Sequence, residues 1–263
     1  MQMHTPKWSY DGSINEWGGN IQGYFDIHSH ILPGVDDGAK NLDETRRMLL
    51  RAYDEGIRVI VATPHFLAGG KNLEVNSLKE IFYKVAEIAS EVSEDFQIIL
   101  GNELFYNASL IDALNHGEAL TIDGTRYILV EFGPRVPFRF MWEGLNNCIF
   151  AGYIPILAHT ERYQCLMKDP ELVSDLIKLG AYIQLNFSCI RSKGISGRYV
   201  FCRKLLRRGW VHFLGTDTHG AYEKTLHTKE AVAFLQKKFG EERTRLLLWE
   251  NPMTMVEDEH LKV

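Results

Sequence analysis

Seven short apolar runs punctuate the chain, at about 24–29, 58–63, 97–102, 127–132, 153–158, 181–187 and 211–216. Each is continuous, rich in β-branched or aromatic residues, and too short for an amphipathic helix. Runs of this kind suit strands buried on both faces. Most of the intervening segments carry a helical period instead. From 41 to 55, Leu42, Met48, Leu49 and Tyr53 mark one face, and Gly56 stands where a left-handed residue ends a helix. Comparable segments run at about 74–93, 142–151, 170–179 and 197–208, the last two closed by Gly180 and Gly209. The tail from about 229 to 257 reads as one or two amphipathic helices. Strand–helix alternation with short connections predicts parallel strands joined by right-handed crossovers.

No sequence repeat underlies the strand spacing, and no Pro/Gly/Ser-rich linker divides the 263 residues. The expectation is therefore an α/β single domain, a barrel from 24 to 263, preceded by a loosely held extension over 1–23. A net charge of −5 argues against a nonspecific nucleic-acid binder. No run of about 18 apolar residues and no apolar leader core is present, so the chain reads as cytoplasmic, with no membrane span. The four cysteines form no CxxC pair and no disulfide-like framework. Cys202 and Arg208 match a bare Cys-x5-Arg phosphatase pattern, but Arg203-Lys204-Leu205-Leu206-Arg207 is helix-forming and lacks the glycines a phosphate-cradling loop favours. A half-buried helical cysteine is expected instead.

Chemistry gathers where the apolar runs end. Asp26-Ile27-His28-Ser29-His30 is followed by Asp36-Asp37-Gly38; the later ends carry His65, Glu103, Glu131, His159, Asn186, and Asp217 with His219. In a parallel barrel the C-terminal strand ends share one rim, where distant residues converge. His28 and His30 are two apart, so both rings face one side of a strand, and the same holds for Asp217 and His219. A single strand-end histidine is ordinarily a hydrogen-bonder, and Asp-Asp-Gly is ordinarily a turn. Recurrence around the rim outweighs those readings. Nine side chains are candidate metal ligands: His28, His30, Asp36, His65, Glu103, Glu131, His159, Asp217 and His219. Imidazole and carboxylate without thiolate suit Zn, Mn or Fe, and nine ligands imply two or three metals with bridging carboxylates. His4, His116, His212, His227 and His260 lie off the pattern and receive no metal role. Asn186 is read as a neighbour of the site.

These residues resemble the PHP (polymerase and histidinol phosphatase) superfamily. The fuller strings, 26–39 with Ala62-Thr63-Pro64-His65, Leu157-Ala158-His159, Glu161-Arg162-Tyr163 and Asp217-Thr218-His219, resemble the CpsB/CapC family of bacterial manganese-dependent protein-tyrosine phosphatases from capsule and exopolysaccharide operons. The resemblance covers about 24–255. It implies a distorted (β/α)7 TIM-like barrel with a trinuclear site. His28, His30, Glu103 and Asp217 would hold one metal, Asp36, His65 and His219 a second, and Glu131 with His159 a third bridged by Glu103. The metals would be manganese, with iron or zinc as alternatives. Thr160 stands where the family has proline, and a family phosphate-binding arginine falls on Lys224. Arg162 is the expected phosphate clamp and Lys224 the second.

The implied reaction is phosphomonoester hydrolysis by a metal-activated water. Its implied substrate is a phosphotyrosine protein, the tail of a bacterial tyrosine kinase controlling polysaccharide export. A histidinol-phosphatase-like activity on small molecules is the alternative; a PHP exonuclease and a non-catalytic binding barrel are the others. After the fourth run, Gly133-Pro134-Arg135-Val136-Pro137-Phe138-Arg139-Phe140 alternates basic and aromatic residues, as a substrate-gripping loop or an ordinary proline-bent one would. Oligomeric state is left open.

Overall fold

All seven apolar runs form strands, and every pairing among them is parallel. The computed structural model describes residues 23–190, 196–221 and 226–261. Almost all of the expected 1–23 extension, and Lys224, lie outside the described residues. In chain order the elements are β1 (Tyr24–Ser29), α1 (Leu42–Asp54), β2 (Ile57–Ala62), β3 (His65–Leu67), α2 (Val75–Val92), β4 (Gln97–Leu100), β5 (Glu103–Phe105) and α3 (Leu110–Asn115). There follow β6 (Tyr127–Glu131), α4 (Phe138–Phe150), β7 (Ile154–Leu157), α5 (Gln164–Lys168), α6 (Glu171–Leu179), β8 (Tyr182–Asn186), α7 (Gly197–Arg208), β9 (Phe213–Gly215), α8 (Thr228–Arg245) and α9 (Asn251–Val256).

Two strands are each broken once. β2 and β3 flank Thr63-Pro64, and β4 and β5 flank Gly101-Asn102. The ladder continues across both breaks, because Gly101 N–H donates to Ala62 O and Glu103 N–H to Pro64 O. Pairing then runs β3-β5-β6-β7-β8-β9. Beyond β9, Asp217 N–H donates to His28 O, His30 N–H to Thr218 O, and Ser29 bridges Thr218, which carries the pairing back to β1. The result is a mixed α/β fold of the barrel kind, with seven strand positions.

Alternation along the strands separates inside from outside. Phe25, Ile27, Val59, Val61, Ile99, Tyr127, Leu129, Ile154, Ile156, Tyr182 and Phe213 form one buried interior cluster. Their strand neighbours, among them Ile60, Ile128, Val130, Ile183, Leu185 and Leu214, pack outward with residues of the helices. Burying each such side chain contributes roughly 1.5–3 kcal/mol, so the register is strongly held. The inward series on β6, β7 and β8 therefore end on Glu131, Ala158 and Asn186, and polar chemistry arrives at one rim.

Three sequence expectations change. Phe138-Arg139-Phe140 is the first turn of α4, not part of an extended loop; Arg139 pairs with Glu143 one helical turn on, 2.8 Å away. Cys202 lies in a helix as expected, but it is fully buried in α7 rather than half-buried, and Arg208 bonds to Glu171 at 3.1 Å. α3 and α5, each of six residues or fewer, fall where no helix is expected.

Candidate metal centre

Strand geometry first decides which way the histidines point. In the β1–β2 register Asp26 pairs with Ile60 and Ser29 with Ala62, so three steps of β1 match two of β2. Such a bulge bends a strand and re-aims its side chains. Ser29 is thereby turned to Val61 O, to which its hydroxyl donates, while His28 and His30 turn into the barrel mouth. Asp26 braces the arrangement: its carboxylate accepts from Thr216 N at 2.7 Å, Thr216 Oγ1 at 2.5 Å and His28 N at 3.2 Å, tying β1 to the exit of β9. Burial raises its pKa to about 6, against those hydrogen bonds.

Four histidines close around one glutamate. Glu103, fully buried, has Oε2 at 3.1 Å from His28 Nε2, 3.3 Å from His30 Nε2 and 3.0 Å from His65 Nδ1. Its Oε1 is 2.7 Å from His159 Nε2. Asp217 Oδ1 lies 3.5 Å from both His28 Nε2 and His30 Nε2, and 3.6 Å from His219 Nδ1. Glu131 reaches His65 Nδ1 at 3.3 Å and His159 Nε2 at 3.5 Å. Eight of the nine sequence candidates thus turn side-chain atoms toward a common centre.

Asp36 is the exception. Its Oδ2 accepts from His30 Nδ1 at 2.7 Å and His65 N at 3.1 Å, and its Oδ1 from Gly38 N at 2.9 Å. Both oxygens are occupied behind His30, which leaves His30 Nε2 to face the cluster. The next residue faces the other two histidines: Asp37 Oδ1 is 3.4 Å from His65 Nε2 and 3.4 Å from His219 Nε2. The turn that separates the two aspartates needs Gly38, where a Cβ would fall 2.1 Å from His30 O.

Three groups of ligand atoms each lie within 4.8 Å of one another: His30, Asp37, His65 and His219; His28, His30, Glu103 and Asp217; and His65, Glu103 and Glu131. Glu103 Oε2 and Asp217 Oδ1 are buried without a properly aligned hydrogen bond to any described residue, although imidazole nitrogens surround them. Convergence of lone pairs without hydrogen-bond geometry is what a shared divalent cation requires, and a donor set of N and O without S fits Mn, Fe or Zn. The residues present fit a metal cluster.

Electrostatics agree. Burial opposes ionisation of Glu103, but His28, His159 and His30 outweigh it and hold its pKa well below the carboxylate range. Burial likewise opposes protonation of His65 and His159, yet the surrounding carboxylates push them to about 10 and about 9. The site selects positive charge, in protons or in cations.

Further residues support this cluster; the pattern of strand ends reveals Asn186 but not Gln184, one polar residue inside an apolar run. Gln184, buried on β8, accepts from His159 N at 2.5 Å, which fixes its carbonyl on that side. The same oxygen is 3.4 Å from His28 Nδ1, leaving His28 Nε2 for the cluster. Its Nε2 then donates to Asn186 Oδ1 at 2.9 Å, and Asn186 Nδ2 donates to Asp217 Oδ2 at 2.8 Å. Arg162 also bonds Asp217 Oδ2, so the expected phosphate clamp sits at the rim with its guanidinium on a ligand carboxylate and its side chain 42% exposed. Two cluster residues hold strained backbone: His159 at φ +29° and Asp217 at φ +53°. Non-glycine residues are uncommon there, and such strain gathers at functional sites.

Residues 24–257 match the family model described as capsular polysaccharide synthesis, CpsB/CapC. The chain belongs to the CpsB/CapC family. Within it, the chain is 33% identical over 239 residues to the tyrosine-protein phosphatase CpsB of Streptococcus pneumoniae, covering 89% of this chain and 98% of that one. It is 31% identical over 225 residues to the tyrosine-protein phosphatase YwqE of Bacillus subtilis (strain 168), covering 84% and 87%. A crystal structure from work on YwqE and the pneumococcal CpsB, described as unique metal-dependent tyrosine phosphatases, superposes with a TM-score of 0.82 at 28% identity, covering 89% and 95%. Histidinol phosphate phosphatase from Lactococcus lactis shares the fold, with a TM-score of 0.58 at 16% identity over 83% of this chain and 94% of that one.

Proposed function

We propose that this CpsB/CapC family chain is a metal-dependent protein-tyrosine phosphatase, acting in the cytoplasm on the phosphorylated tail of a bacterial tyrosine kinase in control of polysaccharide synthesis. The observation that carries this reading is the pair of buried carboxylate oxygens, Glu103 Oε2 and Asp217 Oδ1, ringed by imidazole nitrogens at 3.0–3.6 Å. Kinship with proteins named tyrosine-protein phosphatase supports the substrate class. Among the described residues, no helix is long and apolar enough to cross a membrane.

His28, His30, Glu103 and Asp217 would hold one cation; Asp37, in place of Asp36, with His65 and His219 a second; Glu131 and His159 a third shared through Glu103. Manganese is the favoured ion. Divalent cations held there would supply Lewis acidity, for activation of a water at neutral pH and for offsetting charge on the phosphoryl oxygens. The chain's own groups do the rest. Asp36 and Gln184 fix the ring orientations of His30 and His28. Arg162, held at the rim by Asp217, presents its remaining N–H groups to an equatorial phosphoryl oxygen. Lys224, outside the described residues, would be a second cation for the phosphoryl group by its position in the family pattern. A phenolate leaves with a pKa near 10, so an aryl ester needs less help from a general acid than an alkyl ester.

The test is hydrolysis of a phosphotyrosyl peptide by metal-stripped protein to which Mn²⁺, Fe²⁺ or Zn²⁺ is returned, in parallel with histidinol phosphate. Metal-dependent turnover of the peptide is expected, abolished in His28→Ala/His30→Ala. Marked preference for histidinol phosphate, or full activity in that double variant, overturns the reading.

A further inference from the structure

The rim has two unlike flanks. Around the ring of strands, β3 and β5 lie across the cluster from β7 and β8. The β7 side carries Arg162. The β3–β5 side carries two exposed apolar side chains, Leu67 (43% exposed) and Phe105 (39% exposed). Both stand on the same strand faces as cluster residues: Leu67 two residues after His65, and Phe105 two after Glu103, about 6.6 Å further toward solvent. In register, Leu67 pairs with Phe105, and Phe105 with Glu131. Leu67, Phe105 and Glu131 are therefore consecutive members of one row, about 4.8 Å apart.

This apolar pair is held in place from behind. Leu67 N–H donates to Asn72 Oδ1 at 3.0 Å, and Leu67 O accepts from Asn72 Nδ2 at 2.8 Å and from Gly70 N at 2.8 Å. Asn107 Nδ2 donates to Ala68 O at 2.9 Å, which ties the chain beyond β5 to the chain beyond β3. Exposed apolar side chains on a backbone fixed this way, beside a polar cluster, are the makings of a binding surface rather than scattered surface residues.

We propose that Leu67 and Phe105 form a shelf for the aromatic ring of the substrate, and so determine preference for aryl over alkyl phosphoryl groups. The assignment rests on the phosphatase reading of the cluster. A phosphoryl group at the His65–Glu103–Glu131 group would meet Arg162 on one side and direct its organic substituent to the other. There, a planar ring covers Leu67 and Phe105 and removes their apolar surface from water; a short alkyl substituent does not reach across both. The match is between a molecule charged at one end and apolar at the other, and a site with the same polarity.

Phenylphosphonate and methylphosphonate carry the two kinds of substituent without a hydrolysable ester. Calorimetric titration of Mn²⁺-loaded protein is expected to show phenylphosphonate binding about tenfold or more tighter, as apolar contacts of this size discriminate. Leu67→Ser/Phe105→Ser should bring the two affinities together by weakening phenylphosphonate. Phe105→Leu should keep most of the preference, and unchanged melting temperatures establish that the variants fold. The shelf is overturned if the native protein shows no phenyl preference, or if the preference survives the double serine variant. If the preference behaves as expected but no phosphotyrosyl peptide is turned over, the phosphatase reading fails while the aryl shelf stands.

Discussion

Gln184→Met removes one amide from the interior of the barrel while keeping an unbranched chain of similar length. In the native protein that amide accepts His159 N–H at 2.5 Å and sits 3.4 Å from His28 Nδ1, while its own N–H group anchors Asn186. The variant leaves a buried backbone donor unsatisfied, which costs about 1–3 kcal/mol. It also frees the backbone of His159, which stands at φ +29° only because its surroundings hold it there. Loss of a group that orients metal-ligating side chains typically lowers metal affinity or activity about 10–100-fold. The two effects are separable. Urea unfolding of metal-stripped protein reads the first, and competition against a chromophoric chelator reads the second. Stability and metal affinity both within error of the native protein would refute the argument that the Gln184–Asn186 amides set the geometry of His28, His159 and Asp217.

Asp37→Asn should lose about one equivalent of bound metal, whereas Asp36→Asn should keep the stoichiometry and weaken affinity about 10–100-fold; elemental analysis after gel filtration decides, and the reverse pattern restores Asp36 as the ligand. Gly38→Ala places a Cβ 2.1 Å from His30 O, so the 36–39 turn must move and the same assay should show weakened binding. His212 concerns stability rather than chemistry. Burial and then the nearby Arg243 hold its pKa at about 4, and its Nδ1 accepts from Ile183 N at 3.1 Å. The unfolded chain, with histidine near 6.5, binds more protons between those values, so this stability is complete above about pH 6.5 and is lost as pH falls toward 4. From pH 8 to pH 5 the loss is about 2 kcal/mol. His212→Asn keeps an acceptor for Ile183 N and should show that much less pH dependence in urea unfolding; equal slopes would refute the assignment.

Much of this molecule was legible along the chain, because burial on both faces leaves long apolar runs and a parallel ring sends every run's end to one rim. His28, His30, His65, Glu103, Glu131, His159, Asp217 and His219 were nameable from that alone. What the sequence could not carry depends on contacts between distant segments. β3 and β5 are three residues each, with no periodicity to read, and exist because the ladders of β2 and β4 continue through them. Asp36 and Asp37 are chemically identical neighbours; the turn closed by Gly38 against His30 sets Asp36 behind His30 and Asp37 toward His65 and His219. Gln184 is one polar residue inside an apolar run, and its role appears only when β8 lies beside His159 and His28. The side of the barrel to which His28 and His30 point is likewise set by the β1 bulge, a property of strand pairing. Sequence determined which chemical groups reach the rim; tertiary structure decided which of their atoms meet, because orientation is fixed by hydrogen bonds between residues far apart in the chain.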